Sequence, residues 1–396
     1  AIDTNSFAAD NRDLSMFPGE YGYPFFGKTI EFVKDTLAVC ADHYERFGPV
    51  SRLDMVKNQR VLMCLGPEFN EAALFDPHGN FSAAGGYMGS LGGLYPDGML
   101  LRDGKKHKKT RRASQPAFKT DALRTYVDML NPIQSRRIDE LKPDEEFIFY
   151  DNIQHTLMDV AAKVFIGLDE TSAEAKMLHK IFENINKGLI TPVPYDLPFS
   201  TFRKALKYRE SLRNFLVTKI PERRGTELED MFSRYCNAKD EDENYLEDVD
   251  IDGHIAFLLF AAFDTTTSAL TNILYYLGKN PEWQEKVRDE INNVSSDIPS
   301  YDDMAEMKLT EYVFQETLRF YPSVMILNRR TTRDVEVGGY EIPANTVVMI
   351  SPPFTHRMEE WWTNPLEFDP MRFSPDRAEH KRHGFSYIPF GGGAHK

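Results

Sequence analysis

Apolar positions recur with helical spacing along most of the chain and give way to short strand-like runs near its two ends. Residues 28 to 47 carry helical periodicity after the Pro/Gly-rich stretch FPGEYGYPFFG, and 49 to 65 read as two short strands around a turn at Lys57 to Gln59. Residues 82 to 104 are rich in glycine and lack a helical pattern, which predicts a long loop of the kind usually kept for function. From about 105 to 290 the pattern is almost wholly helical, broken by TPVPYDLPFS at 191 to 200 and by NAKDEDENYLEDVD at 237 to 250. Ile251 to Leu277 predicts one long helix, too uniformly apolar for a surface position, running through the middle of the protein. Residues 307 to 320 give another helix closed by Tyr321-Pro322, 330 to 350 read as short strands with a turn at Gly338-Gly339, and 352 to 396 read as a packed irregular coil. The fold class is mainly α with a minor β component. With no repeat and no linker-like stretch, the pattern favours one continuous domain over 1–396.

Composition narrows the function. A net charge of −14 argues against a nucleic-acid surface, so the basic run Lys105 to Arg112 needs a local explanation. The three cysteines, Cys40, Cys64 and Cys236, form neither a disulfide framework nor a zinc site and suit a reducing, cytoplasmic setting. No window is read as approaching the apolar length of a membrane span, and the polar stretch AIDTNSFAADNRDLS is unlike a signal peptide.

The tail FGGGAHK (390 to 396), taken alone, is a glycine turn. It follows FDPMRF (368 to 373), which itself follows the helix bearing Glu316-x-x-Arg319. The same Glu/Arg spacing occurs at Glu210/Arg213, Glu285/Arg288 and Glu379/Arg382, where surface ion pairs are the ordinary reading. Glu316 differs in sitting inside FQETLRFYP, flanked by apolar residues. In this order the motifs resemble the cytochrome P-450 family of haem-thiolate monooxygenases. Its haem loop, Phe-x-x-Gly-x-His/Arg-x-Cys, matches at Phe390, Gly393 and His395. The iron-binding cysteine would follow Lys396, and no metal ligand is expected within the chain itself.

The resemblance implies the cytochrome P-450 fold, a triangular helical domain with a long central helix and small β-sheets. Haem b (iron protoporphyrin IX) would be the cofactor, with Phe390, Gly391 and Gly393 shaping its loop and His107, Arg111, Arg329 and His395 meeting its propionates. Glu316, Arg319 and Arg372 would form a buried triad. In AAFDTTT, Ala261 would line the oxygen groove, Thr265 would hydrogen-bond bound dioxygen and Asp264 would relay protons. Where the family usually has glycine and tryptophan, this chain has Ala262 and His107.

The implied substrate pocket comprises Tyr87, Met88, Leu91, Leu94, Leu189, Ile190, Val193, Phe260, Phe263, Met325, Ile326 and Leu327. So apolar a set implies a hydrophobic small molecule. Segments such as PGEYGYPFFG, FRKALKYRES and WWTNPLEFDPMRFSPDR look most like the branch that oxidises sterols, retinoids and terpenoids. Electrons would come from NAD(P)H through a ferredoxin and its reductase or a flavin reductase. The rival readings are a peroxide-using relative and a non-catalytic haem- or apolar-ligand-binding protein.

Overall fold

The structure, a computed structural model, describes residues 13–56, 59–142, 144–189, 191, 195–240, 243–294 and 298–396. The predicted turn at Lys57, the pocket candidates Ile190 and Val193, and most of the polar N-terminal stretch lie outside the described residues. Chain order begins with β1 (Gly19–Glu20), α1 (Thr29–Lys34), α2 (Thr36–Phe47), β2 (Val50–Met55), β3 (Gln59–Cys64), α3 (Pro67–Phe75), β4 (Phe81–Ser82) and α4 (Ala83–Leu91). A helical run follows: α5 (Gly104–Ser114), α6 (Thr120–Asp139), α7 (Phe149–Val160), α8 (Ala173–Leu189), α9 (Thr201–Arg223), α10 (Met231–Cys236), α11 (Asp248–Lys279) and α12 (Pro281–Val294). Then come α13 (Lys308–Phe320), β5 (Leu327–Thr331), β6 (Val335–Val337), β7 (Tyr340–Ile342), β8 (Val347–Ile350) and the short α14 (Pro352–Thr355).

These elements form two compact units, one from the residues up to Gly89 together with Leu309–Lys396, the other from Ser90–Lys308. The first unit holds a six-stranded sheet in the order β1-β2-β3-β8-β5-β4 and the separate hairpin β6-β7. Strand β3 pairs antiparallel with β2 (Val50↔Cys64) and parallel with β8 (Val61↔Val347). Its run Val61-Leu62-Met63-Cys64 is apolar throughout because both faces are covered: Leu62 and Cys64 join Phe69 and Ile350 in one core, Val61 and Met63 join Cys40 and Leu53 in another.

Two local expectations change here. The helix read at 28 to 47 is interrupted by Asp35, whose extended backbone and side-chain acceptance from Ala38 N make it the N-cap of α2. The glycine-rich stretch read as a loop contains helix α4. Gly86 serves packing rather than turning: a Cβ there would lie 2.7 Å from the backbone carbon of Asn328 on β5.

The second unit is helical. Helix α11 packs on α7, α9, α10 and α12, and Ile255, Ala256 and Leu259 share its core with Leu178, Ile181 and Ile185 of α8 and Leu212 and Leu216 of α9. Its C-terminal half exposes Leu274 and Tyr275, so α11 is not buried along its whole length as the sequence suggested. Its length and window hydropathy of 1.3 are also those of a helix able to cross a membrane, which corrects the reading that no such window exists.

Candidate functional site

The α11 segment Ala261–Thr267 is continuous helix. Its hydroxyls are accommodated by back-bonding to the preceding turn: Thr265 Oγ1 donates to Ala261 O at 2.7 Å and Thr267 Oγ1 to Phe263 O at 2.9 Å. In this conformation the Thr265 oxygen has committed its proton and faces a neighbour as an acceptor. Burial holds the Asp264 carboxyl above the usual carboxylate range.

Asp264 lines a cavity of about 1030 Å³ together with Leu91, Met158, Phe182, Leu189, Phe260 and Phe263. The pocket residues predicted from sequence at Leu91, Leu189, Phe260 and Phe263 are therefore brought together beside the predicted acid. Leu94 is not: it is fully buried in the helical core. The neighbouring Tyr95 ring stacks on Phe260 with centroids 4.8 Å apart.

Helix α5 gives the basic run its local role. His107 is buried on it, one turn from Arg111, which is exposed. Burial, reinforced by the Arg111 charge, lowers the imidazole's pKa, so His107 is neutral near pH 7. Two buried arginines that sequence reasoning missed anchor the segment between α4 and α5. Arg102 donates to Thr110 Oγ1 at 3.0 Å and Asp250 at 2.6 Å, and Arg209 grips Asp252 through both oxygens (3.1 and 2.8 Å) while bonding Leu94 O. Partners 43 and 148 residues apart leave no local pattern to read.

In the other unit the predicted triad forms and extends. Glu316, 0% exposed, takes Arg319 Nε at 2.6 Å and Nη2 at 2.9 Å, and Arg372 Nε at 3.0 Å. Arg319 also donates to His356 O and Pro365 O, and Arg372 to Thr363 O and Glu367 O, so the two guanidiniums peg the irregular coil to α13. Glu379 is a fourth member, 3.1 Å from Arg372. The sequence grouped it with surface pairs, and that is wrong: it is 1% exposed. Burial alone would raise its carboxyl, but hydrogen bonds from Arg377 and Thr363 N and the nearby guanidinium charges outweigh this and hold it below the usual range. Of the other pairs, Glu285–Arg288 is an exposed ion pair, as expected.

His356 adds a neutral link. Its Nε2 accepts from Ile388 N at 2.9 Å and its Nδ1 lies 3.1 Å from Arg319 O, while burial pushes its pKa down to about 3. The coil so held ends in the glycine loop. Gly391 and Gly393 adopt φ of +70° and +65°, and a Cβ on Gly393 would lie 1.9 Å from Leu74 O, so only glycine fits. Phe390 is exposed and stacks on Phe314, and His395 is half-buried in the final turn. Arg329 is buried on β5. Tyr87, read as pocket lining, accepts a hydrogen bond from Asn328 N at 3.1 Å and so braces that strand. Met88 is buried, Met325 and Ile326 half-buried, and Ile326 packs on the β2-β3-β8 core.

The three cysteines behave as small buried hydrophobes. Desolvation pushes the thiols of Cys40 and Cys236 up to about 11 and about 12 and that of Cys64 higher still, so all stay protonated at neutral pH.

The family profile for cytochrome P450 matches residues 17–396. The chain belongs to the cytochrome P450 family. It is 32% identical over 97% of its length to cytochrome P450 136 of Mycobacterium tuberculosis, covering 78% of that protein. It is 29% identical to the taxane 10-beta-hydroxylase of Taxus cuspidata, over 96% of this chain and 79% of that one. A solved structure described as retinoic acid bound cyanobacterial CYP120A1 superposes with a TM-score of 0.85 at 26% identity, covering 96% of this chain and 86% of that chain. This P450 is accordingly a monooxygenase of the oxidoreductase class, with hydroxylases among its relatives. Membership implies haem iron as the prosthetic group and, in general terms, a substrate and a redox partner.

Proposed function

We propose that this P450 hydroxylates a hydrophobic small molecule of sterol, terpenoid, retinoid or fatty-chain type, using dioxygen and electrons drawn from NAD(P)H through a separate ferredoxin system or flavin reductase. The observation that carries the reading is the apolar wall of Leu91, Phe182, Phe260 and Phe263 beside the Asp264–Thr265 pair. Hydroxylation of taxanes by one relative and retinoic acid bound to another agree with that substrate class.

Haem b would be held at its propionates by His107, Arg111, Arg329 and His395, with Phe390, Gly391 and Gly393 shaping the loop, Ala261 leaving room on α11, and cysteine at the position following Lys396 as the thiolate. The residues fit that group in kind: a loop that only glycine can form, arginine donors for carboxylates, and small residues on α11. When bound with a thiolate ligand, haem supplies activation of dioxygen and insertion of one oxygen atom into a C–H bond. Thr265 then positions a water by accepting its hydrogen bond. Asp264, holding its proton to higher pH than an ordinary carboxyl, donates it and is recharged from the cavity side. The phenylalanines exclude bulk water from the reacting carbon.

The test is incorporation from labelled dioxygen, with a surrogate reductase and a panel of diterpenoid, retinoid and sterol compounds. One labelled oxygen atom per product supports the proposal. Product formed with hydrogen peroxide but not with dioxygen and electrons favours the peroxide-using alternative; no product under either condition leaves ligand binding without catalysis.

A further inference from the structure

The cavity beside Asp264 has a second chemistry along α8. Lys176, His179, Lys180, Glu183, Asn186 and Lys187 all line it, at spacings that put them on one helical face. Lys187 is neutralised by Glu183 at 2.6 Å, whereas Lys176 and Lys180 have no carboxylate within ion-pair distance among the described residues. In a chain of net charge −14, two uncompensated ammonium groups lining a cavity are a local reversal of sign.

The lysines and Asp264 sit towards different ends of α7. Tyr150, at the start of α7, lies close enough to Asp264 for its phenol to be raised by that charge after burial, whereas His179 Nε2 lies 4.0 Å from Asp159 Oδ1 near the helix's far end. At about 1.5 Å of rise per residue, these positions are about 13 Å apart along the axis. The lysine end can therefore attract an anion, for which the Asp264 end supplies no lysine or arginine among the described residues.

We infer that this cavity binds an elongated apolar molecule ending in a carboxylate, with the acid group at Lys176 and Lys180 and the apolar body against Phe182, Phe260 and Phe263. The inference deepens the hydroxylase reading, and only its catalytic consequence rests on that reading: the carbon offered for oxidation lies away from the acid.

Isothermal titration of the haem-loaded protein with dodecanoate, 1-dodecanol and dodecylammonium tests it. Dodecanoate should bind about three- to tenfold more tightly than the alcohol at low salt, the range two partly exposed ion pairs provide. The advantage should vanish at high ionic strength and in Lys176→Met/Lys180→Met, while the alcohol's affinity stays unchanged. Both lysines are exposed, so the variant should fold, which far-ultraviolet circular dichroism checks. Equal binding of acid and alcohol, preference for the amine, or an acid preference that survives the double substitution would overturn the inference. Heat of binding is read here, so this failure is distinct from absent oxygen incorporation.

Discussion

Replacing Arg372 by methionine removes a guanidinium whose donors meet five acceptors: Glu316 Oε1 at 3.0 Å, Glu379 Oε2 at 3.1 Å, and the carbonyls of Thr363, Asn364 and Glu367 at 2.6, 3.3 and 2.9 Å. Methionine fills much of the volume but returns none of these bonds. Breaking a buried ion pair from one side costs about 3–5 kcal/mol. Glu316 keeps Arg319 and Asp369 N, and Glu379 keeps Arg377 and Thr363 N, so neither carboxylate is wholly orphaned. The expected loss is about 3 kcal/mol, the lower end of that range. Arg288→Met, which breaks an exposed ion pair, should cost under about 0.5 kcal/mol. Urea unfolding of the haem-loaded protein measures both. Trp362 serves as a local probe, being fully buried beside the Arg319 guanidinium, Phe373 and Tyr387. In Arg372→Met its emission should shift before helical circular dichroism is lost. If Arg372→Met proves as mild as Arg288→Met, the set does not hold the coil and the reasoning fails.

Three further outcomes follow from the site. Asp264→Asn should lower kcat by about 10²-fold with little change in KM; it should also abolish the fall in wild-type kcat on the alkaline side, where the raised carboxyl gives up its proton. An unchanged pH–rate profile would exclude Asp264 from proton delivery. His254, buried on α11 with no hydrogen-bond partner for either ring nitrogen among the described residues, has its pKa pushed down to about 3 by burial, so the unfolded chain binds the extra proton. Its stabilisation is complete above the unfolded pKa of 6.5, erodes as pH falls towards the folded value, and amounts to a loss of about 2 kcal/mol by pH 5. His254→Leu should remove that part of the acid sensitivity in urea titrations at pH 7 and 5; an undiminished pH dependence contradicts it. Gly393→Ala should cost about 2 kcal/mol or more, because the new methyl meets Leu74 O in a left-handed backbone, and an unchanged Tm would contradict this.

Much of this was legible because periodicity and burial coincide. Helix α13 was read to within a residue of its start, and β5 to β8 fell within a few residues of the predicted strands, with β6 and β7 on either side of the predicted turn at Gly338-Gly339. Helix α4 was hidden because glycine normally signals a turn, whereas Gly86 is there to let the helix approach Asn328. Glu379 was hidden because its spacing to Arg382 is that of any exposed helix pair, whereas its buried partner Arg372 lies seven residues earlier along an irregular coil that has no periodicity to read. The polar face of α8 gives no sequence signal of a cavity, because a solvated face and a cavity wall are indistinguishable along a chain. Asp264 and Glu316 stood out as charges in apolar surroundings, whereas the glycine loop, an ordinary turn when taken alone, was singled out by its resemblance to the family's haem loop.

The central claim is a haem held by a thiolate, and the reduced, carbon monoxide-bound absorption spectrum tests it most directly. In protein carrying cysteine at the position after Lys396, the Soret band should lie at the red-shifted thiolate position, and serine at that position should abolish it. A histidine-type band, or no haem retained in the cysteine-bearing protein, would contradict the account.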